Sequence, residues 1–146
     1  MAWLTPQGGG SAFYFDMEKM CIVIKGEHFT GSETFKRSFE DALVIGCVFA
    51  DYELEGANLM GAAFVDCTFE KVNFYWASMF KARFIKCRLE AVDFRGANMA
   101  ETVFAECRIE RCDFSKDNLG ADTDITQVTF FESEHIDHTN DKPTKA

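Results

Sequence analysis

The stretch GANLMGAAFVDCTFEKVNFYWASMFKARFIKCRLE, residues 56–90, decides the fold. Within it Leu59, Phe64, Phe69, Phe74, Met79, Phe84 and Leu89 stand five apart. The same phase runs outward through Phe39, Val44, Phe49 and Leu54 on one side. On the other it takes in Phe94, Met99, Phe104, Ile109, Phe114 and Leu119. Two positions before most of these centres sits a small or compact residue. A helix repeats every 3.6 residues and a strand every two, so a period of five specifies neither and points to a solenoid.

A second period of twenty is sharper than the first. Gly56-Ala57-Asn58-Leu59 matches Gly96-Ala97-Asn98-Met99, and Asp66-Cys67-Thr68-Phe69 matches Lys86-Cys87-Arg88-Leu89 and Glu106-Cys107-Arg108-Ile109. Four pentapeptides therefore make one four-sided coil, and backbone hydrogen bonds between coils set a rise of about 4.8 Å. Each pentapeptide turns its centre and the residue two before it inward. The expected inner ladders are Leu59-Met79-Met99-Leu119, Val44-Phe64-Phe84-Phe104, Phe49-Phe69-Leu89-Ile109 and Leu54-Phe74-Phe94-Phe114. The regular body should span 39–130, or four to five coils. One slip is expected, since Ile125 follows Leu119 by six residues, and a bulge near Gly120-Ala121 would absorb the extra residue. Outside this body we expect a flexible leader over 1–12, around Gly8-Gly9-Gly10-Ser11. An N-terminal cap or imperfect first coil should follow over 13–38, then a C-terminal cap over 131–137 and a disordered tail over 138–146.

The chain has 146 residues, one domain's length, and 47% of them are apolar. Its formal charge of -9 is opposite in sign to that of a generic nucleic-acid binder, so direct nucleic-acid binding is not expected. No run of 18 apolar residues suggests a membrane helix. Residues 1–15 lack a basic segment followed by a continuous apolar stretch, so no secretory signal is expected and the reading is cytoplasmic. Of the six cysteines, Cys47, Cys67, Cys87 and Cys107 fall twenty apart, while Cys21 and Cys112 stand outside that series. The spacing predicts a ladder of buried thiols rather than disulfides or a convergent zinc site. No metal or cofactor is expected. His28, His135 and His138 lie in the end segments, and there is no nucleophile elbow, phosphate loop or His-Glu-x-x-His pattern, so an enzyme is not expected.

Ala57-Asn58-Leu59, Ala97-Asn98-Met99, Val92-Asp93-Phe94, Cys112-Asp113-Phe114 and Ala62-Ala63-Phe64 resemble the Ala-(Asp/Asn)-Leu-x-x consensus of the pentapeptide-repeat family. The resemblance implies an all-β, right-handed quadrilateral β-helix and brings no catalytic constellation. It also implies a class of partner. The best-understood bacterial members are DNA mimics that bind type II topoisomerases, mainly DNA gyrase, and inhibit them or protect them from quinolones or toxins. Some dimerise through a hydrophobic C-terminal helix, and no obvious counterpart is read in this sequence.

The outward positions separate into columns by the twenty-residue rule. Glu70, Glu90 and Glu110 form one acidic column, with Arg88 and Arg108 beside it. Glu53, Asp93 and Asp113 form another, interrupted by Asn73. Residues 41–60 carry net -4, from Asp41, Asp51, Glu53 and Glu55, whereas residues 81–100 carry net +3. A duplex mimic calls for a longer and more uniform negative track. Ile45, Val65, Ile85 and Ala105 form an apolar outer column, Met60, Phe80 and Ala100 another on a different side, and Tyr75 and Trp76 stand at a corner. Apolar outer patches of this kind favour contact with a protein partner or a second copy. The leading expectation is a non-catalytic protein-interaction scaffold. The alternative is a DNA mimic directed at gyrase or topoisomerase IV.

Overall fold

The computed structural model describes residues 2–4, 12–16, 21–31 and 38–136. Fourteen strands lie among them. They are β1 (Ala2–Leu4), β2 (Ala12–Asp16), β3 (Cys21–Lys25), β4 (His28–Gly31), β5 (Leu43–Ile45), β6 (Val48–Tyr52) and β7 (Ala63–Val65). The series continues with β8 (Thr68–Glu70), β9 (Arg83–Ile85), β10 (Arg88–Glu90), β11 (Val103–Ala105), β12 (Arg108–Glu110), β13 (Thr129–Phe131) and β14 (Glu134–Ile136). Two sheets result, ordered β1-β2-β3-β5-β7-β9-β11-β13 and β14-β12-β10-β8-β6-β4. The pairs β1–β2 and β2–β3 are antiparallel, and from β3 and β4 onward every pairing is parallel. Residues 138–146, the expected tail, and residues 5–11 of the expected leader lie outside the described residues.

The fold is a quadrilateral solenoid. Two sides of each coil are the short strands of the two sheets, which we call the first side (centres Val44, Phe64, Phe84, Phe104) and the second side (Phe49, Phe69, Leu89, Ile109). The third side (Leu54, Phe74, Phe94) and the fourth side (Phe39, Leu59, Met79, Met99) are joined from coil to coil by isolated bridges such as Asn73↔Asp93 and Asn58↔Ser78. The difference is written in the residue before each centre. On the third and fourth sides it is commonly Asn or Asp, whose Oδ1 accepts the backbone N–H two residues on. Asn73 takes Tyr75 N at 2.8 Å, Asp93 takes Arg95 N at 2.9 Å, and Asn98 takes Ala100 N at 3.1 Å. This local bond favours a tight turn over an extended strand. On the first and second sides the same place holds Ala63, Arg83, Val103, Thr68 or Arg88. These side chains make no such bond, and the strand runs on. Sides of two kinds explain why twenty-residue matches exceed five-residue ones.

The corners of the regular coils lie two residues past a centre and have a positive φ. Glycine fills some of them, but Asp66, Lys71, Trp76, Lys86, Ala91 and Glu106 also stand in the left-handed region at 51° to 57°. Such a conformation costs a non-glycine residue roughly 1–2 kcal/mol. Backbone bonds to the next coil offset that cost, as when Lys71 N donates to Glu90 O at 2.9 Å and Lys86 N to Ala105 O at 2.8 Å.

The ladders form the core. Phe64, Phe84 and Phe104 stack at 5.0 Å between ring centroids, and Phe29, Phe49 and Phe69 stack at 4.6 and 4.8 Å. Cys47, Cys67, Cys87 and Cys107 are buried free thiols in the compact inward place of the second side. Each donates to a carbonyl of the coil before it, among them Cys67 to Val44 O at 3.4 Å and Cys107 to Phe84 O at 3.1 Å. The neighbouring thiols and burial push Cys47 and Cys87 up, and burial pushes Cys112 up to about 12. Thiols buried one above another, each donating to a carbonyl, fill the core. Thr102 holds the place of Ala62 and Ala82, fully buried, because its hydroxyl donates to Met79 O at 2.7 Å.

One ladder differs from expectation. Leu119 is not an inner centre: it is 82% exposed. The next member after Met99 is Ile125, because Asn98 bridges Asp124 and Met99 N donates to Asp124 O at 2.8 Å. The coil holding Phe114 is therefore longer by six residues rather than one, and the extra length is taken up in a loop over 115–122. β11 and β12 pair with β13 and β14 in the shifted register, so Phe130 follows Phe104 and His135 follows Ile109. Leu119 falls on the five-residue phase by coincidence. Thr123-Asp124-Ile125 is the genuine small–Asx–apolar unit, and Asp124 accepts Thr126 N at 3.0 Å as Asn98 accepts Ala100 N.

Candidate interaction surface

The residues singled out from the sequence fall on separate parts of the surface. Ile45, Val65 and Ile85 share one outer column of the first side, through the registers of β5, β7 and β9. Ala105 continues it as the twenty-residue count expects, and Phe131 extends it, because Ile85 pairs with Ala105 and Ala105 with Phe131. Phe131 is 56% exposed. The twenty-residue count misses it, since the inserted loop displaces it by six positions. A second outer column on this side holds Leu43, Ala63 and Val103, with Arg83 between them. The result is an apolar strip up one side of the solenoid.

Corner residues edge that strip. Asp66, Lys86 and Glu106 run along one edge, and Asp41, Gly61, Lys81 and Glu101 along the other. Lys81 and Glu101 approach at 3.9 Å across one coil.

The acidic columns lie on the second and third sides and are largely neutralised. Glu90 accepts Arg88 at 2.7 Å and also pairs with Arg111. Arg108 lies 3.6 Å from Glu110 and 3.5 Å from Glu134. Arg95 binds Asp93 with two nitrogens, at 3.0 and 2.9 Å, and approaches Asp113 at 3.7 Å. Glu53 accepts Asn73 Nδ2 at 2.8 Å. Glu70 is exposed in the same column as Glu90. Basic partners thus interrupt the negative track at Glu90, Asp93, Glu110 and Asp113, in the later coils.

The aromatic corner has an intramolecular partner. Tyr75 is buried and Trp76 is 47% exposed. The loop over 115–122 folds back onto them. Trp76 Nε1 donates to Asp117 Oδ2 at 2.8 Å, and Asn118 N donates to Tyr75 Oη at 3.0 Å. Asp117 Oδ1 accepts Leu119 N at 2.9 Å and Ala121 N at 2.8 Å. Arg95 lies over the Tyr75 ring at 5.4 Å. On the fourth side Met60 and Phe80 are half-buried, and Lys81 Nζ lies 5.1 Å from the Phe80 ring centroid.

The Trp76 N–H and backbone N–H groups hold the Asp117 carboxyl below the ordinary Asp range. A depressed folded-state value means that its stabilisation is fully present above about pH 4, the unfolded value, and is lost as pH falls through the folded value. In a Trp3→Phe background, Trp76 fluorescence should therefore change on acidification below about pH 4 while the remaining fold persists. The same titration of Asp117→Asn should lack that transition. If both proteins give the same curve, Asp117 does not control the loop.

Among the described residues no group of three His, Cys, Asp or Glu side chains is placed to hold a metal ion, and no helix is long and apolar enough to cross a membrane. Comparison with known proteins adds the following. The family model described as "Pentapeptide repeat region" matches residues 37–114. No curated protein sequence matches the chain. Among solved structures, a trypsin-treated variant of QnrB1, a plasmid-mediated fluoroquinolone resistance protein, is similar with a TM-score of 0.59 at 20% identity, over 75% of this chain and 53% of that one. The chain thus spans about half the length of that structure, and at this identity the likeness is one of fold. The pentapeptide repeat protein Rfr23 of the cyanobacterium Cyanothece 51142 gives a TM-score of 0.48 at 10% identity, over 78% of this chain and 84% of that one.

Proposed function

The chain belongs to the pentapeptide-repeat family, and from that premise we propose that it is a non-catalytic scaffold that binds a protein partner through the apolar outer strip of its first side. The observation that carries this reading is the column Ile45, Val65, Ile85, Ala105 and Phe131, continuous over five strands and ending in a phenylalanine that is 56% exposed. Apolar columns on the outside of a β-solenoid add nothing to its core. Removing them from water rewards association at about 25 cal/mol per Å2 of apolar surface. The strip is held rigid because β5, β7, β9 and β11 are paired on both edges and only the terminal β13 on one, so little conformational entropy is lost on binding.

The fold likeness to QnrB1 favours a second reading, a DNA mimic that engages a type II topoisomerase. The ion pairs of Glu90, Asp93 and Glu110 weigh against it, since a phosphate-like track requires unneutralised charge. Two measurements separate the readings. The first is affinity capture from native extract with the parent and with a Val65→Glu, Ile85→Glu variant of unchanged melting temperature. The second is supercoiling by gyrase with added protein, with and without a fluoroquinolone. The scaffold reading expects a partner retained by the parent and lost by the variant, with gyrase unaffected. A protein that inhibits or protects gyrase equally well with both substitutions would replace it with the mimic reading.

A further inference from the structure

We propose that the occupant of the first side is a second copy of this chain, packed face to face with the two solenoid axes antiparallel. The inference rests on the proposed use of the first side for protein contact and identifies the partner. Its basis is the order of charges along the two edges of the strip. The coil of β9 carries a lysine at each end of its strand, Lys81 and Lys86. The coil of β11 carries a glutamate at each end, Glu101 and Glu106. All four are corner residues with exposed side chains. Lys86 and Glu106 are in consecutive coils, since Lys86 N donates to Ala105 O at 2.8 Å, yet they form no ion pair with each other.

A symmetric pair of identical faces can meet in two ways. With the two-fold axis along the solenoid, each edge faces the opposite edge of the same coil. Lys81 then meets the second copy's Lys86, and Glu101 meets the second copy's Glu106. Every opposition in these coils is between like charges, which disfavours the arrangement. With the two-fold axis along the strands, each edge faces itself with the coil order reversed. Centred between β9 and β11, this arrangement sets Lys81 against the second copy's Glu101 and Lys86 against its Glu106. Both contacts occur twice, so all the corner oppositions in these two coils are between opposite charges. One like-charge opposition remains further out, Asp66 against Glu132, also twice.

The apolar columns agree with the same centre. The coil of β7, with small Ala63 and Val65, comes to face the coil of β13, with exposed Phe131. In the coil of β9, Ile85 faces Ala105 of β11 and the exposed Arg83 faces Val103, with its aliphatic stem against the strip and its charge reaching for the rim. Thus the bulkiest outer side chain of the strip meets one of its smallest rows. Rim charges of this kind contribute little affinity, but they fix register and exclude the alternative. A side one pentapeptide wide makes a small interface, which places the pair among weak, concentration-dependent associations.

The test exploits the reciprocal charges. In a dimer of Lys86→Glu alone, the substituted glutamate faces the second copy's Glu106. In a dimer of Glu106→Lys alone, the substituted lysine faces the second copy's Lys86. Each variant by itself should sediment as a monomer at concentrations where the parent dimerises. In an equimolar mixture the two variants can pair with each other. Both contacts then join opposite charges, the substituted glutamate to the substituted lysine and the original glutamate to the original lysine, so mixing should rescue the dimer, and a mixture that stays monomeric overturns the arrangement. The double variant Lys86→Glu, Glu106→Lys restores opposite charges at both contacts and should dimerise again. Melting curves of each variant, matched to the parent, establish that the fold is retained. Parent protein that stays monomeric at concentrations where weak pairs form overturns the dimer while leaving the scaffold reading to its capture experiment. A parent dimer that neither single variant weakens, or a double variant that fails to recover, overturns the antiparallel face-to-face arrangement.

Discussion

Phe84→Ala should lower the unfolding free energy by about 3–5 kcal/mol, the range for a phenylalanine truncated in a well-packed core. Phe84 is fully buried in the middle of its ladder. Its ring stacks on Phe64 and Phe104, each at 5.0 Å, and meets Phe69 edge-on at 5.5 Å. Each such aromatic contact adds about 0.5–1.5 kcal/mol beyond burial. The backbone around it is fixed by parallel pairing to β7 and β11 on both sides, so the coil has little freedom to collapse into the void. Phe114→Ala provides the internal comparison. Phe114 is only half-buried, stacks on Phe94 at 4.8 Å, and meets His135 at 6.1 Å. It should cost about half as much. In a solenoid each coil contacts only its neighbours, so the loss of one rung is not shared across the whole domain. Urea unfolding of the parent and the two variants checks the order. Phe84→Glu goes further, because the carboxylate would be buried with no partner, and that protein should not fold. A Phe84→Ala midpoint equal to the parent's would show that the ladder is looser than its centroid spacings indicate.

The ladders were legible because each depends on a single number. Phe64, Phe84 and Phe104 stand twenty apart, and a four-sided coil stacks whatever stands twenty apart. The same holds for Cys67, Cys87 and Cys107. The outer column of Ile45, Val65 and Ile85 followed by the same count, which also placed the arginines beside the glutamates. Three features were not legible, each for a physical reason. The corners at Lys71, Trp76 and Ala91 carry no glycine, so their left-handed backbone leaves no mark in the sequence. It is imposed by the closure of the coil. The register after Phe114 was misread because Leu119 is apolar and five residues on. Nothing local distinguishes an inner leucine from one at a loop tip. The signal that settles it is the triplet Thr123-Asp124-Ile125, whose Asx turn repeats that of Asn98. The partner of Trp76 was invisible too, since Asp117 lies 41 residues away and reaches it only through the insertion.

That insertion makes Gly96 the most sensitive corner of the solenoid. Gly96→Ala should cost about 2–4 kcal/mol and release the loop over 115–122. Gly96 has a φ of 69°, and a Cβ built there would lie 2.4 Å from Trp76 Cδ1, 2.7 Å from Trp76 Nε1 and 3.1 Å from Asp117 Cβ. The indole rests directly on the glycine, and the N–H that would be displaced is the one donated to Asp117. Alanine in the left-handed region costs roughly 1–2 kcal/mol, overpacking adds about 1–3, and the stiffer unfolded chain returns less than about 1. Gly61→Ala separates these contributions. Its φ is 67°, but the added Cβ would meet chiefly Asp41 Oδ1, at 2.2 Å, the end of a side chain that can rotate away. It should show the backbone cost alone. The difference between the two urea midpoints then measures what the Trp76 contact contributes. Trypsin cleavage after Lys116, inside the loop, gives an independent reading. It should accelerate at least about tenfold in Gly96→Ala, since about 1.4 kcal/mol of lost anchoring raises the open population tenfold. It should be unchanged in Gly61→Ala. Equal midpoints and equal cleavage in the two variants would mean that the indole does not hold the loop, and that Leu119 is carried on a segment ordered by its own turn.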